Sequence, residues 1–355
     1  MYPTTAVTSI LKIALPIIQA PMAGATTPEL VAAVSNAGGL GSLGAGYMHA
    51  EELRAAIKKI RSLTNKPFAI NLFIPEKHSV TDAQLENARK AIQTACIDLG
   101  FNIPSVSSPF SLSFEDQIKI IFDEKVPVFN FTFGLLENSL IKDFHKKGVA
   151  LIGTATTLKE AIELEKSDID IICAQGSEAG GHRGTFIGPA EKALIDISSL
   201  TSALSENVKA PIIAAGGIMD AKDILRIFTL GASAVQMGTA FLCCDESAIH
   251  SAYKKLLLQG ANHSTTLTRA FSGKLARGLN NQFIKNMQLY ENEIVAYPVQ
   301  NALTNAMRKE AKEKNNTDYM SMWAGENASL CQTMPAADLV SRLDKEIRIL
   351  LKKYT

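Results

Sequence analysis

Ile169–Gly184 reads IDIICAQGSEAGGHRG, and it decides the fold. The largely apolar run Ile169–Ala174 has the length and branching of a buried parallel strand. It stops at Gln175-Gly176, and Gly180, Gly181, His182 and Gly184 follow within a few residues. Glycines at the end of such a strand let the backbone approach a flat or phosphorylated ligand. The imidazole among them titrates near neutral pH in its ordinary state. A strand that delivers an amide, glycines and a histidine to one sheet edge predicts a cofactor site.

Working outward, short apolar runs recur at Ile17–Ala20, Leu40–Leu43, Phe68–Leu72, Val126–Phe131, Ala150–Gly153, Pro211–Ala215 and Ala234–Met237. The stretches between them, such as Pro28–Ala37, Glu51–Leu63, Leu135–Lys147, Leu158–Lys166 and Ala221–Leu230, carry apolar residues at helical spacing. Strand and helix in alternation imply parallel strands, because each helix returns the chain to the same starting edge. Eight units over roughly 240 residues match an α/β fold of the (β/α)₈ TIM-barrel kind. The third connection is longer, with Thr81–Leu99 and Phe114–Asp123 both expected as helices. The N-terminal stretch Leu11–Met22, with Pro16 and Pro21 and no basic leader, is expected as a strand and not a signal peptide. Beyond Phe241 the alternation is lost: Ser247–Gln259 and Ala302–Lys314 are expected as helices, Gly260–Asn281 as mixed and polar, and Leu339–Lys353 as an amphipathic closing helix. The organisation expected is a barrel over 1–245, a substrate-covering cap inserted near the C-terminus over 246–319, and a closing segment, 320–355.

Bulk composition narrows the partners. Of 355 residues, 36 are Lys or Arg and 35 are Asp or Glu, for a formal net charge of +1 without charge runs. That balance favours neither nucleic acid nor a lipid surface and points to a small molecule. The five cysteines form no C-x-x-C pair, so reduced thiols and a cytoplasmic location are expected.

Barrel active sites form at the C-terminal strand edges, and polar or glycine-rich groups stand at several of them. The first strand runs into Met22 and Gly24, the third carries Asn71, and the sixth ends in Gln175 before Gly180 and Gly181. The seventh ends in Gly216-Gly217 and the eighth in Gln236-Met237-Gly238-Thr239. Loops after the seventh and eighth strands commonly cradle a phosphate, with Gly217 and Gly238 allowing close approach and Thr239 adding a hydroxyl. Two side-chain amides, Asn71 and Gln175, suit the donor and acceptor edge of a heteroaromatic ring. His182 is the candidate for proton transfer or for a hydrogen bond to developing negative charge. Arg183 and Glu178 beside it read as structural ion-pair partners. The match Gly39-Leu40-Gly41-Ser42-Leu43-Gly44 to G-x-G-x-x-G is discounted, since it follows a helix and is itself mostly strand. His49, His78, His145, His250 and His263 lack metal-ligand spacing, and no metal is expected. In the cap, Tyr290, Tyr297 and Trp323 are candidates to close over a ligand, and Lys274 and Arg277 to meet an anion.

At these residues the chain resembles the nitronate monooxygenase family of FMN-dependent barrels. The segments are PIIQAPMAG at Pro16–Gly24, NLF at Asn71–Phe73, AQGSEAGGHRG at Ala174–Gly184, AAGGI at Ala214–Ile218 and VQMGTAFL at Val235–Leu242. The segment SMWAGENA at Ser321–Ala328 fits the family's W-x-G ending less distinctively. The resemblance implies that Asn71, Gln175, Gly180, Gly181, Gly216, Gly217 and Gln236 to Thr239 hold FMN. It also implies that Met22 lies against the flavin through its backbone and that His182 is the active-site histidine. Tyr297 and Lys274 are the substrate-contact candidates. The expected reaction oxidises an anionic alkyl nitronate, such as propionate 3-nitronate, with O₂ to a carbonyl compound and nitrite, without NAD(P)H. A homodimer is allowed for but not specified. Two alternatives stay open: an NAD(P)H-dependent FMN reductase of the enoyl-acyl-carrier-protein or quinone reductase type, and a non-enzymatic barrel binding a phosphorylated ligand.

Overall fold

A computed structural model describes residues 4–103, 105–260 and 264–353. Each of the eight apolar runs supplies one strand of a parallel sheet: β1 Ile17–Gln19, β2 Gly41–Gly44, β3 Phe68–Phe73, β4 Val128–Thr132, β5 Ala150–Ala155, β6 Ile171–Gln175, β8 Ile212–Ala215 and β9 Ala234–Met237. Between β6 and β8 lies a two-residue strand, β7, Gly181–His182, which belongs to a different sheet. The barrel strands follow the order β1-β9-β8-β6-β5-β4-β3-β2. The ring closes between β1 and β2 through the Ile18–Leu40 bridge. Gln19 reinforces that seam, its Oε1 accepting from Ser42 N–H at 3.0 Å and its Nε2 donating to Ser42 O at 3.2 Å.

The discounted glycine run has a packing role here. A Cβ on Gly41 would lie 2.1 Å from the Val31 carbonyl oxygen, so β2 tolerates the helix Pro28–Asn36 at backbone distance only because it has no side chain there.

Inside the ring, Ile18, Leu40, Val128, Ile152, Ile171 and Ile213 form a floor, which Val7 and Leu11 plug from below. Those two plug residues correct the expected N-terminal strand. Leu11 ends a helix, Ala6–Leu11, capped reciprocally by Thr5 and Thr8 and stopped at Lys12 with φ of 55°. The strand proper is only Ile17–Gln19. Burying two apolar side chains in the barrel mouth outweighs the weak extended preference of a stretch broken by Pro16.

In the long third connection the helix Phe114–Asp123 is as expected, whereas the stretch expected as a helix over Thr81–Leu99 is divided at Ile92 into Asp82–Ala91 and Gln93–Asp98. Residues 260–281 contain an antiparallel hairpin, β10 Thr265–Thr268 with β11 Ala276–Leu279, in place of a merely mixed stretch. β11 then pairs with β7, Ala276 opposite His182 and Arg277 opposite Gly181. The stretch expected as a cap is therefore stitched by backbone to the glycine loop that ends Ile169–Gly184. Its helices Gln282–Met287 and Val299–Glu313 share the barrel's outer core through Phe283, Leu303 and Met307. The closing helix Ala336–Lys353 packs against Pro28–Asn36 and Ala221–Thr229, filling the groove beside the first strand.

Candidate active site

The C-terminal strand edges and the wall formed by 297–327 enclose a cavity of about 920 Å³. All the residues expected at the site line it except Lys274, Arg277 and Tyr290.

The glycine loop after β6 is built by its own neighbours. Gln175 brackets it, Nε2 donating to His182 O at 2.9 Å and Oε1 accepting from Gly184 N–H at 2.8 Å. One amide hydrogen is left to face the cavity. Arg183, fully buried, donates to the carbonyls of Gln175, Gly176 and Ala193. Glu178 accepts from Ile197 N–H at 3.0 Å. Neither forms an ion pair among the described residues, so the expected pairing is corrected: both side chains satisfy loop and helix-end backbone instead, which a tight glycine loop leaves unpaired. Buried Glu160 supports the next turn, accepting from Phe186 N–H and Ile187 N–H at 2.6 and 2.9 Å and from Thr156 N–H and hydroxyl.

Gly180 is the junction with the C-terminal segment. A Cβ there would lie 2.5 Å from both Ala324 C and Gly325 N. Gly325 N–H donates to Thr239 Oγ1 at 2.9 Å, and Asn327 Nδ2 donates to Gly217 O at 2.7 Å. Segment 323–327 thereby clamps the loops after β6, β8 and β9 into one cradle. Gly217 sits at φ of 67°, a conformation costly for other residues.

Polar atoms on the barrel side fit a flavin edge. Gln236 Oε1 is buried with no hydrogen-bond partner, while its Nε2 reaches only Cys173 Sγ at 3.4 Å. An orphaned amide beside open space calls for a ligand donor. Asn71 Nδ2 donates to Asn130 Oδ1 at 3.2 Å, and both line the cavity. Asn130, Thr132 and Cys173 are site residues that sequence reasoning passed over. Their signal was present, since Asn130 is a polar residue inside the apolar run of β4.

His182 stands among aromatic rings: Trp323 with its centroid 5.3 Å away, Phe133 at 6.0 Å, Tyr297 at 6.3 Å and Phe73 at 6.5 Å. Its Nε2 lies 2.9 Å from Ser272 Oγ, whose hydroxyl also donates to Lys274 O at 3.1 Å. With that hydroxyl hydrogen on the Lys274 carbonyl, Nε2–H is the donor to Ser272 and Nδ1 keeps its lone pair. Burial, then the charges of Lys274 and Arg308, push the imidazole pKa down to about 3, so it is neutral throughout the physiological range. Lys274 acts from behind the wall, with Nζ 2.7 Å from Glu76 Oε1 and 4.3 Å from the Phe133 centroid. Arg277 pairs with Glu326 at 2.8 Å, and Tyr290 is partly exposed and away from the cavity. Among the described residues no group of His, Cys, Asp and Glu is arranged to hold a metal; His263 lies outside them.

An eight-stranded parallel barrel with its glycine-lined, histidine-bearing cavity at the strand C-termini defines a TIM-barrel enzyme. The family model for nitronate monooxygenase matches residues 4–346. A probable nitronate monooxygenase of Staphylococcus aureus (strain MSSA476) is 42% identical over 353 residues, 99% of each chain, and that of Staphylococcus saprophyticus is 42% identical over 361 residues with the same coverage. Among solved structures, a nitroalkane oxidase from Streptomyces ansochromogenes superposes with a TM-score of 0.92 at 35% identity, covering 99% of this chain and 100% of that one. FabK from Thermotoga maritima superposes with a TM-score of 0.77 at 30% identity, covering 99% and 98%. The chain belongs to the nitronate monooxygenase family and is an oxidoreductase.

Proposed function

We propose that the chain binds FMN and oxidises small alkyl nitronates with O₂, without NAD(P)H. The observation that carries this reading is His182: a buried, neutral imidazole beside Trp323 and hydrogen-bonded to Ser272, in a cavity that Arg308 and Lys312 also line. A pocket lined by those cations accepts a substrate that arrives already deprotonated. A base held near pKa 3 is poorly matched to removing a proton from a neutral nitroalkane at neutral pH.

FMN would be held by its phosphate at Gly216, Gly217, Gly238 and Thr239, with Gly180 and Gly181 in the facing loop. Its ring edge would meet Asn71, Gln175 and the orphaned Gln236 amide, with the Met22 backbone and Met237 alongside. Bound there, FMN would supply the redox chemistry for oxidation of the nitronate by O₂. The chain's own residues do the rest. Ser272 sets the imidazole orientation and tautomer, and His182 places a neutral ring, with no charge of its own, beside the nitronate group. Tyr297, Trp323 and Phe133 exclude water from it. In this reading residues 246–319 act as the substrate cap on the 1–245 barrel, and Lys274 contributes through its field and not by contact. Five buried free cysteines suit a reducing compartment such as the cytoplasm.

The purified protein is expected to be yellow, to consume O₂ and release nitrite with propionate 3-nitronate, and to keep its flavin oxidised when mixed anaerobically with NADH. Bleaching by NADH at catalytic rates would replace this reading with the reductase one. Colourless protein, or no O₂ uptake with any nitronate or reductant, would replace it with the ligand-binding barrel.

A further inference from the structure

The ring of His182 is oriented by a hairpin turn that distant parts of the chain hold in place. Ser272 Oγ lies 2.9 Å from His182 Nε2, donates to Lys274 O at 3.1 Å and accepts from Lys274 N–H at 3.3 Å. The hydroxyl therefore points as it does only while residues 272–274 keep their turn. Gly273, at φ of 79°, packs on backbone, since a Cβ there would lie 2.2 Å from the Val295 carbonyl oxygen. From the helix Val299–Glu313, Gln300 Nε2 donates to Ala270 O at 2.9 Å and the Thr304 hydroxyl donates to Phe271 O.

Two ion pairs tie the same turn to the barrel side. Arg269 pairs with Glu191, but both side chains are largely in water, where such a pair holds little. Lys274 pairs with Glu76, on the loop that leaves β3, with Nζ 2.7 Å from Oε1, and the Lys274 side chain is only 13% exposed. A sheltered ammonium without its carboxylate would be costly, so this pair is the firmer tie. The same ammonium stands 4.3 Å from the centroid of Phe133, which stacks at 4.8 Å on Phe73, three residues before Glu76. Phe133 has φ of 80°, a backbone conformation that side chains other than glycine rarely adopt, and its ring meets His182 edge to face at 6.0 Å. Contacts on both sides must offset the strain of that residue.

We propose that Glu76 is a positioning residue for the oxidation: by pairing with Lys274 it fixes the Ser272–Lys274 turn against the barrel and so holds His182 in its Nε2–H tautomer beside the substrate. Its effect on turnover rests on the nitronate reading above, whereas its effect on the ring does not. Glu76 touches neither substrate nor imidazole; it acts through Lys274 and then Ser272.

Proton–nitrogen spectra of the flavin-loaded protein, labelled with ¹⁵N at histidine, read the tautomer directly, and His182→Asn identifies the His182 signals. The unmodified protein is expected to show one protonated and one bare ring nitrogen, in the Nε2–H form. In Glu76→Ala the two ¹⁵N signals are expected to move towards each other as the second tautomer mixes in, and Glu76→Asp, which keeps the charge, to restore most of their separation. With propionate 3-nitronate, Glu76→Ala is expected to lower kcat about threefold without raising KM, because the freed ammonium still attracts the anion. Lys274→Met probes the pair from its other side, and the double variant is expected to lose no more kcat than either single one. Unshifted signals in Glu76→Ala, an Nδ1–H ring in the unmodified protein, or losses that multiply in the double variant overturn the proposal; a melting temperature for each variant shows that it is folded. If the unmodified protein oxidises no nitronate, the oxidation reading fails by itself, and the ¹⁵N signals still decide the role of Glu76.

Discussion

The barrel floor and the cap wall of this cavity are assembled in different ways. On the floor, several polar groups are satisfied within a few residues, Gln175 by His182 O and Gly184 N–H and Thr26 Oγ1 by donating to Met22 O and accepting from Met22 N–H, and others by a nearby barrel strand, as Asn71 by Asn130. On the wall, partners come from far along the chain. His182 meets Ser272, Gly180 meets Ala324, and Tyr253 donates to the Trp323 carbonyl at 2.7 Å. The floor is thus a property of the barrel strands and the loops that leave them, whereas the wall exists only once the hairpin has docked on β7. In the proposed reading the floor would offer backbone and amides to a cofactor, and the wall would set the charge and shape around the substrate.

Four outcomes break or sharpen that division. His182→Asn is expected to lower kcat with nitronates by about a thousandfold while flavin content stays at the level of the unmodified protein. Unchanged turnover, read by oxygen electrode beside the visible spectrum, would take the imidazole out of the mechanism. Gly180→Val strikes a point where floor and wall touch, beside the Gly325–Thr239 and Asn327–Gly217 hydrogen bonds. Its side chain must displace the 324–325 backbone, so FMN retention is expected to weaken by about 10- to 100-fold, measured as flavin released on dilution. Full retention would mean that the C-terminal segment does not shape the cradle. Ser272→Ala is a smaller change, removing one hydrogen bond to the imidazole. A loss of about fivefold in kcat is expected, with a changed pH profile to separate positioning from simple destabilisation.

The smallest expected effect is an absence of pH dependence. Because the free imidazole titrates at about 3, kcat/KM for a nitronate is expected to show no break between about pH 6 and 8. Stability carries the matching signature. Between 6.5 and about 3 the unfolded chain binds the His182 proton and the folded chain does not. Stability therefore falls as pH drops through that window and levels off below it, and His182→Asn flattens the slope. A break in kcat/KM near 6.5 would show that the wall does not exclude water as the structure implies.

Much of this was legible from the chain alone because its determinants are local. Eight apolar runs with amphipathic stretches between them determine a parallel barrel, since alternating strands and helices of those lengths have few other ways to bury both faces of the sheet. Gln175, Asn71 and the glycine pairs were visible for the same reason, as each sits at or near the C-terminal end of its own strand. The reduced pKa of His182 and the neutralised Lys274 were invisible. Charge pairing and desolvation depend on distances between segments more than a hundred residues apart, such as Glu76 and Lys274, and no sequence period encodes them. Strand periodicity built the cradle; only tertiary packing decided which cations still face the ligand, because a charge is available only where the fold has brought it no partner.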